Sequence, residues 1–477
     1  MRRMILTLVL LAGLTTSVAL AQSDGPAVTH GPISGEITPT SAVLWARGSE
    51  EGTLTFEIAD NPDFAGDLLA FTVDVDESGD FTGEVLAEGL TPGQAYTYRV
   101  TLSTGDQTGE PVTGQFHTAP APDEAAPFSF TFGSGIGGQG YCRNPETGWT
   151  IFETMLAEAP DFFLMMGDGV YVDSACPSDE GRNVPGAEGP YRDLDGFRTR
   201  YRYHLEDPHY AALLAQTPTY VTWDDHEILD NFGGPELSRI NPQLLADGRQ
   251  VFFEYWPVMG TEDDPFRLYR SVSYGANADF FILDLRSYRD PLVNWDPSPI
   301  TLEHKTMLGA EQFAWLEGAL SESTATWKFI VSSVPLSYPT GWPQPQVEGH
   351  DGWANGADRS GYETELMALL YYIESHNIEN VVFLSADAHW PYAISYDPDR
   401  DGNVDFYELG SSPMSSIPLP PGDIDQTFNP TVLYAEGEFM GDHFNFGHVM
   451  VSEDGALTFR VVRHDGETLY SLTLTPQ

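Results

Sequence analysis

Between about residues 28 and 118, apolar and polar positions alternate. The segments SAVLWARG, GTLTFEIA, TGEVLAEGL, AYTYRVTL and TGQFHTAP carry that period of two and are separated by Gly, Pro, Asp and Asn. Alternation puts successive side chains on opposite faces of a strand, so residues 28–118 predict a small all-β sandwich of immunoglobulin or fibronectin type. APAPDEAAP, at 119–127, then predicts a linker. Beyond it the pattern changes. Short apolar runs at 128–132, 161–166, 219–222, 278–283, 327–331 and 380–384 predict buried strands. Between them TIFETMLAEA, AEQFAWLEGALSES and ETELMALLYYIESH carry helical spacing. Strands alternating with helices predict an α/β core over 128–477, which closes with further strands from about 448 to 473. Nothing in the sandwich looks catalytic, and His30 and His117 read as ordinary surface or interface histidines.

The N-terminus follows another logic. Arg2 and Arg3 precede a short apolar run over 4–14, and Ala19-Leu20-Ala21 offers a small-x-small cleavage site. That is the pattern of a signal peptide over 1–21, with the run well short of the roughly 20 residues a membrane span needs. The residues around the paired arginines fit a twin-arginine signal poorly, so general secretion is the expected route to the periplasm or exterior. In an exported chain the two cysteines, Cys142 and Cys176, read as a disulfide.

Hydrophobic residues make up 41% of the 477, enough for a sizeable core and against wholesale disorder. The formal net charge is −49, and only Lys305 and Lys328 are lysines. Such a surface repels nucleic-acid backbones and anionic membranes, so neither is an expected partner. The acidity reads as solubility, as in a saline habitat. An anionic substrate would need local positive charge, which bound cations can supply.

Three of the expected strands end alike. DFFLMM runs into Gly167-Asp168-Gly169-Val170-Tyr171, PTYVTW into Asp224-Asp225-His226-Glu227, and VVFLS into Ala386-Asp387-Ala388-His389. Ligands of open α/β sheets bind beyond the carboxyl ends of strands, so three acid-bearing loops are expected to converge on one edge. One such Asp alone would read as a turn or cap residue; three loops in one domain favour a site for one or two cations. Aspartate, phenolate and imidazole suit a hard to borderline ion.

Other motifs have duller readings. DPDRDGNVDFYE, at 397–408, starts like a calcium loop through Asp397, Asp399, Asp401 and Gly402, but lacks flanking helices and reads as a solvated turn. FGSGIGGQG, at 132–140, is a weak phosphate-cradle candidate without GxGxxG spacing. No Gly-x-Ser-x-Gly occurs, which removes support for a serine-hydrolase elbow.

GDGVY at 167–171, WDDHE followed by Asn231, and SADAH at 385–389 together resemble the PhoD-like alkaline phosphatase/phosphodiesterase family of the calcineurin-like metallophosphatases. DLRSYRD, TMLGAEQFAWLEGAL and WKFIVSSVPL add to the resemblance, as does the order signal, sandwich, hydrolase. It implies an α+β sandwich of mixed β-sheets flanked by helices. It implies an exported phosphomonoesterase or phosphodiesterase that uses metal-activated water to scavenge phosphate. Asp168 would bridge two metals. Tyr171, Asp225 (with Asp224 beside it), Asp387 and His389 would complete their shells. His226 would contact the phosphoryl group and protonate the leaving oxygen. The family's usual cations are Fe(3+) and Ca(2+). Gly135 stands where the family carries a cysteine ligand, so the resemblance does not carry over the composition of the first metal site. Cys142 is a lesser candidate to replace that ligand. Arg143, Arg286 and Arg289 are candidate phosphoryl-binding groups, with structural ion pairs as the alternative. Phospholipase D or nucleotidase activity on the same site, or a non-catalytic surface-binding protein, are the competing functions.

Overall fold

The structure is a computed structural model describing residues 25–176, 186–291, 305–340, 351–355 and 361–477. The expected signal over 1–21 lies outside the described residues.

The continuous apolar runs are buried on both faces. Phe162, Leu164 and Met166 of the strand Phe162–Met166 point into one cluster, and Phe163 and Met165 into another. Phe329 and Val331 of Trp327–Val331 share the first cluster, while Ile330 enters a third. A period of two with both faces apolar requires a layer on each side of the sheet.

Two mixed sheets supply the central layers. The first has nine strands, ordered Thr468–Leu474, Leu457–Arg463, Asn445–Val451, Phe128–Gly133, Phe162–Met166, Thr219–Thr222, Val28–Gly35, Ser41–Gly48 and Thr82–Glu88. The second has seven, ordered Arg270–Tyr274, Ala278–Ile282, Trp327–Val331, Val381–Ser385, Phe406–Gly410, Tyr392–Tyr396 and Pro430–Ala435. Parallel strands lie at the middle of each and antiparallel strands at the margins. The sheets pack through aromatic contacts such as Phe130 with Phe280 (centroids 5.2 Å) and Phe162 with Phe280 (5.4 Å). The helices Ile151–Ala157, Leu194–Leu205, Pro208–Gln216 and Pro242–Tyr255 cover the outer face of the first sheet. Gly309–Glu322 and Glu363–Ser375 cover that of the second. The order is therefore helix, sheet, sheet, helix.

The N-terminal strands do more than form a sandwich of their own. Leu69–Val75, Gly52–Ala59, Ala95–Thr104, Gln107–Thr108 and Val112–His117 make a separate sheet. Val28–Gly35, Ser41–Gly48 and Thr82–Glu88 instead extend the nine-stranded sheet, with Gly35 paired parallel to Thr219. A Cβ on Gly35 would sit 2.5 Å from the Thr219 carbonyl oxygen and 2.7 Å from Pro257 Cγ, so the join needs glycine there. The DPDRDG stretch is the exposed turn between the antiparallel strands Tyr392–Tyr396 and Phe406–Gly410, as its lack of flanking helices suggests. No helix among the described residues is long and apolar enough to cross a membrane.

Candidate functional site

The three acid-bearing loops meet, but not at the edge of a single sheet. Two leave the nine-stranded sheet and one the seven-stranded sheet, so the site lies where carboxyl ends of both central layers come together. The approach of the first two loops is close. A Cβ on Gly167 would lie 2.5 Å from Asp224 Cβ, and its φ of +88° also favours glycine. The Glu227 carboxylate ties these loops, accepting from the Gly169 amide at 2.7 Å and the Asp224 amide at 3.0 Å. Asp168, Asp387 and His389 all adopt positive φ (52°, 57° and 66°), a costly conformation that clusters at functional sites.

Oxygen and nitrogen donors come within 4.8 Å of one another in overlapping groups: Asp168 with Asp387 and His389, Asp168 with Asp225 and His226, and Asp224 with Asp351 and Asp387. Asp168 belongs to two of them. The Tyr171 hydroxyl donates to Asp168 Oδ2 at 3.0 Å, and its ring stacks on the His226 ring with centroids 4.1 Å apart. Asp224 Oδ2, Asp225 Oδ1 and Asp387 Oδ2 are buried with no hydrogen-bond partner. A buried carboxylate oxygen left unpaired is costly, and a cation is the partner this arrangement lacks.

The electrostatics agree. Burial pushes Asp168 well up, and Asp225, Asp224 and Glu227 add to the rise against the opposing pull of His226. Asp387 is pushed well up by burial and by Asp224, Asp351 and Asp225. Burial, offset in part by Arg286, leaves Asp224 at about 6. Positive charge supplied to this cluster would relieve the rise. Burial pulls His389 down to about 4. Its Nδ1 faces the Ile417 carbonyl at 2.5 Å and must donate there, which leaves the Nε2 lone pair free to bind a cation. His226 behaves oppositely. Burial works to lower it, but Asp225, Asp173 and Asp168 outweigh that and hold it well above the ordinary value.

The missing thiolate has a structural counterpart. Gly135 has φ +76°, and a Cβ there would lie 2.7 Å from Ser416 Oγ. A cysteine at 135 would collide with that hydroxyl. Cys142 does not replace it, because it is disulfide-bonded to Cys176, with Cα atoms 5.8 Å apart. The donors gathered here are therefore carboxylate, phenol and imidazole.

The three candidate phosphoryl-binding arginines have other partners. Arg286 is fully buried, with Nε bonded to Asp224 at 2.6 Å and its fork on Asp351. Arg289, equally buried, donates to Asp351 Oδ1 at 2.6 Å. Arg143 donates to the Tyr203 carbonyl at 2.8 Å and pairs with Glu206. None lines the open cavity of about 470 Å³ bordered by Asp225, His226, Asp387 and His389. The structural ion pair is the reading that fits all three. In the glycine-rich loop after Phe128–Gly133, a Cβ on Gly138 would lie 2.4 Å from the Tyr171 ring, so that glycine makes room for Tyr171.

Sequence reasoning passed over four residues that the structure brings in. Asp173 Oδ1 meets His226 Nδ1 at 2.8 Å, and its other oxygen accepts the Asp230 amide at 2.7 Å. Asp351 joins Arg286 and Arg289, and with its amide turned to donate, Asn231 reaches Asp351 at 2.9 Å. Ser416 and Asp230 border the site. Asp173 stood two residues beyond the GDGVY motif and was within reach of a sequence reading; Asp351 and Ser416 carry no local signal.

The family model described as PhoD-like phosphatase matches residues 130–465, and that described as PhoD-like phosphatase, N-terminal domain, matches 14–120. Alkaline phosphatase D of Bacillus subtilis (strain 168) is 28% identical over 442 residues, covering 84% of this chain and 72% of that protein. A solved structure titled "Structure of PhoD" superposes with a TM-score of 0.72 at 23% identity, covering 94% of this chain and 89% of the other, which shows the shared fold.

Proposed function

The chain belongs to the PhoD-like phosphatase family and is a phosphoric ester hydrolase, and from that premise we propose how its residues divide the work. Asp168 would be shared between two cations, with Tyr171 and His389 available to hold one, Asp225 and Asp224 the other, and Asp387 either. The observation that carries this reading is the set of buried, partnerless oxygens on Asp224, Asp225 and Asp387 beside the shared Asp168. When bound, the cations would activate water and neutralise charge on the phosphoryl oxygens.

The protein's own groups supply the rest. His226 is held by Asp173 through Nδ1, so its Nε2 is the atom that offers a proton to the departing alkoxide. The Asn231 amide N–H donates to Asp225 Oδ2 at 2.6 Å and fixes that carboxylate. These side chains are largely buried, which strengthens each electrostatic contact. Oxygen and nitrogen donors without a thiolate suit Ca(2+) and Fe(3+), the pair we propose. Export through a cleaved signal into the periplasm or beyond, for phosphate scavenging, fits the disulfide and the acidic surface.

Turnover of p-nitrophenyl phosphate and of its bis-ester tests the reading. Chelation should abolish hydrolysis, and calcium with iron should restore it. Undiminished turnover after exhaustive chelation, or none of either ester in the reloaded protein, would overturn it.

A further inference from the structure

The cavity that opens onto the candidate metal ligands is two-natured. Beyond the acids and histidines, much of its wall is apolar: Trp390, Ile417, Leu419, Pro420 and Pro421. Among the described residues, no lysine or arginine lines it. A nucleotide, a polyphosphate or a second phosphoryl group would therefore meet no lysine or arginine of the described residues along this wall, in a chain of net charge −49.

The apolar wall is built into the same loops as the candidate ligands. His389 donates from Nδ1 to the Ile417 carbonyl at 2.5 Å, and its own carbonyl accepts the Leu419 amide at 2.9 Å. The His389 amide donates to Ser412 Oγ at 2.9 Å, at the start of the same stretch. Trp390 follows His389 directly and packs edge-on against Tyr338, with centroids 5.1 Å apart. Pro418, Pro420 and Pro421 restrict the backbone and remove N–H donors, so this segment offers carbon surface held in fixed register with the reacting centre. Leu419 is only half-buried and Pro420 and Pro421 are exposed, leaving apolar area for an occupant to cover.

We propose that Trp390, Ile417, Leu419, Pro420 and Pro421 form a specificity wall that selects phosphoesters whose organic substituent is an uncharged alkyl or aryl group. The proposal rests on the hydrolase reading above and names the substrate class for that site.

The test holds the chemistry constant. Diesters of p-nitrophenol are compared in which the second substituent is methyl, hexyl, phenyl or 5-phosphonopentyl, with cation-loaded full-length protein. The p-nitrophenolate departs in every case. The hexyl and phenyl esters are expected to exceed the methyl ester about tenfold in kcat/KM, since each buried methylene contributes a few-fold. The phosphonopentyl ester, which brings a second anionic group, should gain nothing over methyl. Leu419→Ser and Ile417→Thr should each compress the hexyl-to-methyl ratio several-fold, and that ratio is insensitive to the amount of folded protein. Tyr371→Ser, on an exposed helix face outside this cavity, should leave the ratio as it is. Methyl-ester turnover with a flat series, or a gradient retained in both wall variants, overturns the wall and leaves the hydrolase intact. No turnover of any ester overturns both.

Discussion

His226 is placed between two demands. Its ring packs on Tyr171, and its Nδ1 is held by Asp173, an acid whose side chain is 4% exposed. His226→Ala should lower turnover on the order of a hundredfold while cations stay bound; loss of the cations with the side chain would make it a ligand instead. Asp173→Asn removes one of the charges that raise His226. A general acid works only while protonated, so the alkaline limb of the kcat profile should move to lower pH in this variant. An unmoved limb would mean that Asp173 does not act through His226. Arg286 and Arg289 are a different case, being fully buried and dependent on Asp351. Asp351→Ala removes the carboxylate partner of Arg289 and the fork partner of Arg286, leaving Arg286 its bond to Asp224, and should cost about 3–5 kcal/mol in urea unfolding. A cost below about 1 kcal/mol would show that the pairs contribute little.

At the scale of elements, the site is an assembly of loops held from outside. The Cys142–Cys176 bridge closes a sequence separation of 34 and ties the glycine-rich loop to the stretch carrying Tyr171 and Asp173. Replacing both cysteines with serine should destabilise the protein by about 2–4 kcal/mol, measured as a lowered denaturation midpoint. An unchanged midpoint would show that the loops are held by packing alone. Strand positions were legible because buried parallel strands are continuous apolar runs, and 219–222 and 327–331 agree to the residue. The helices Pro208–Gln216 and Pro242–Tyr255 escaped notice, though Asp207-Pro208 and Asn241-Pro242 are a cap followed by proline at the first helical position. The strand-end acids were legible through repetition. Asp351 was not, because its partners Arg286 and Arg289 are more than 60 residues away in sequence. The join of Val28–Gly35 to Thr219–Thr222 was equally hidden, since alternation shows a strand's faces and not its neighbour.

For the whole molecule, charge is the dominant quantity. With a net charge of −49, anionic substrates approach against a repulsive field, so KM for a phosphoester should fall as monovalent salt rises from about 0.01 to 0.15 M and screening shortens from about 30 to 8 Å. A KM that rises instead would point to a local attractive field at the cavity mouth. The buried acids give a second whole-molecule signature. Glu227 is raised to about 8, with burial the main cause, and burial holds Asp168 and Asp387 well above the carboxylate range. Groups raised in the folded state hold more protons there than when unfolded, so their contribution is lost as pH rises through the folded value. Metal-free protein should therefore lose thermal stability progressively between about pH 4.5 and 8, and cations held by Asp168 and Asp387 should reduce that slope.

The most direct measurement is the metal content of the purified full-length protein, wild type beside Asp168→Asn, by elemental analysis. The donors Asp168, Tyr171, Asp224, Asp225, Asp387 and His389 should hold about two cations per chain in the wild type, and both should be lost in the variant. A variant that keeps its full complement, or an active wild type that carries no metal, would contradict a two-cation centre bridged by Asp168.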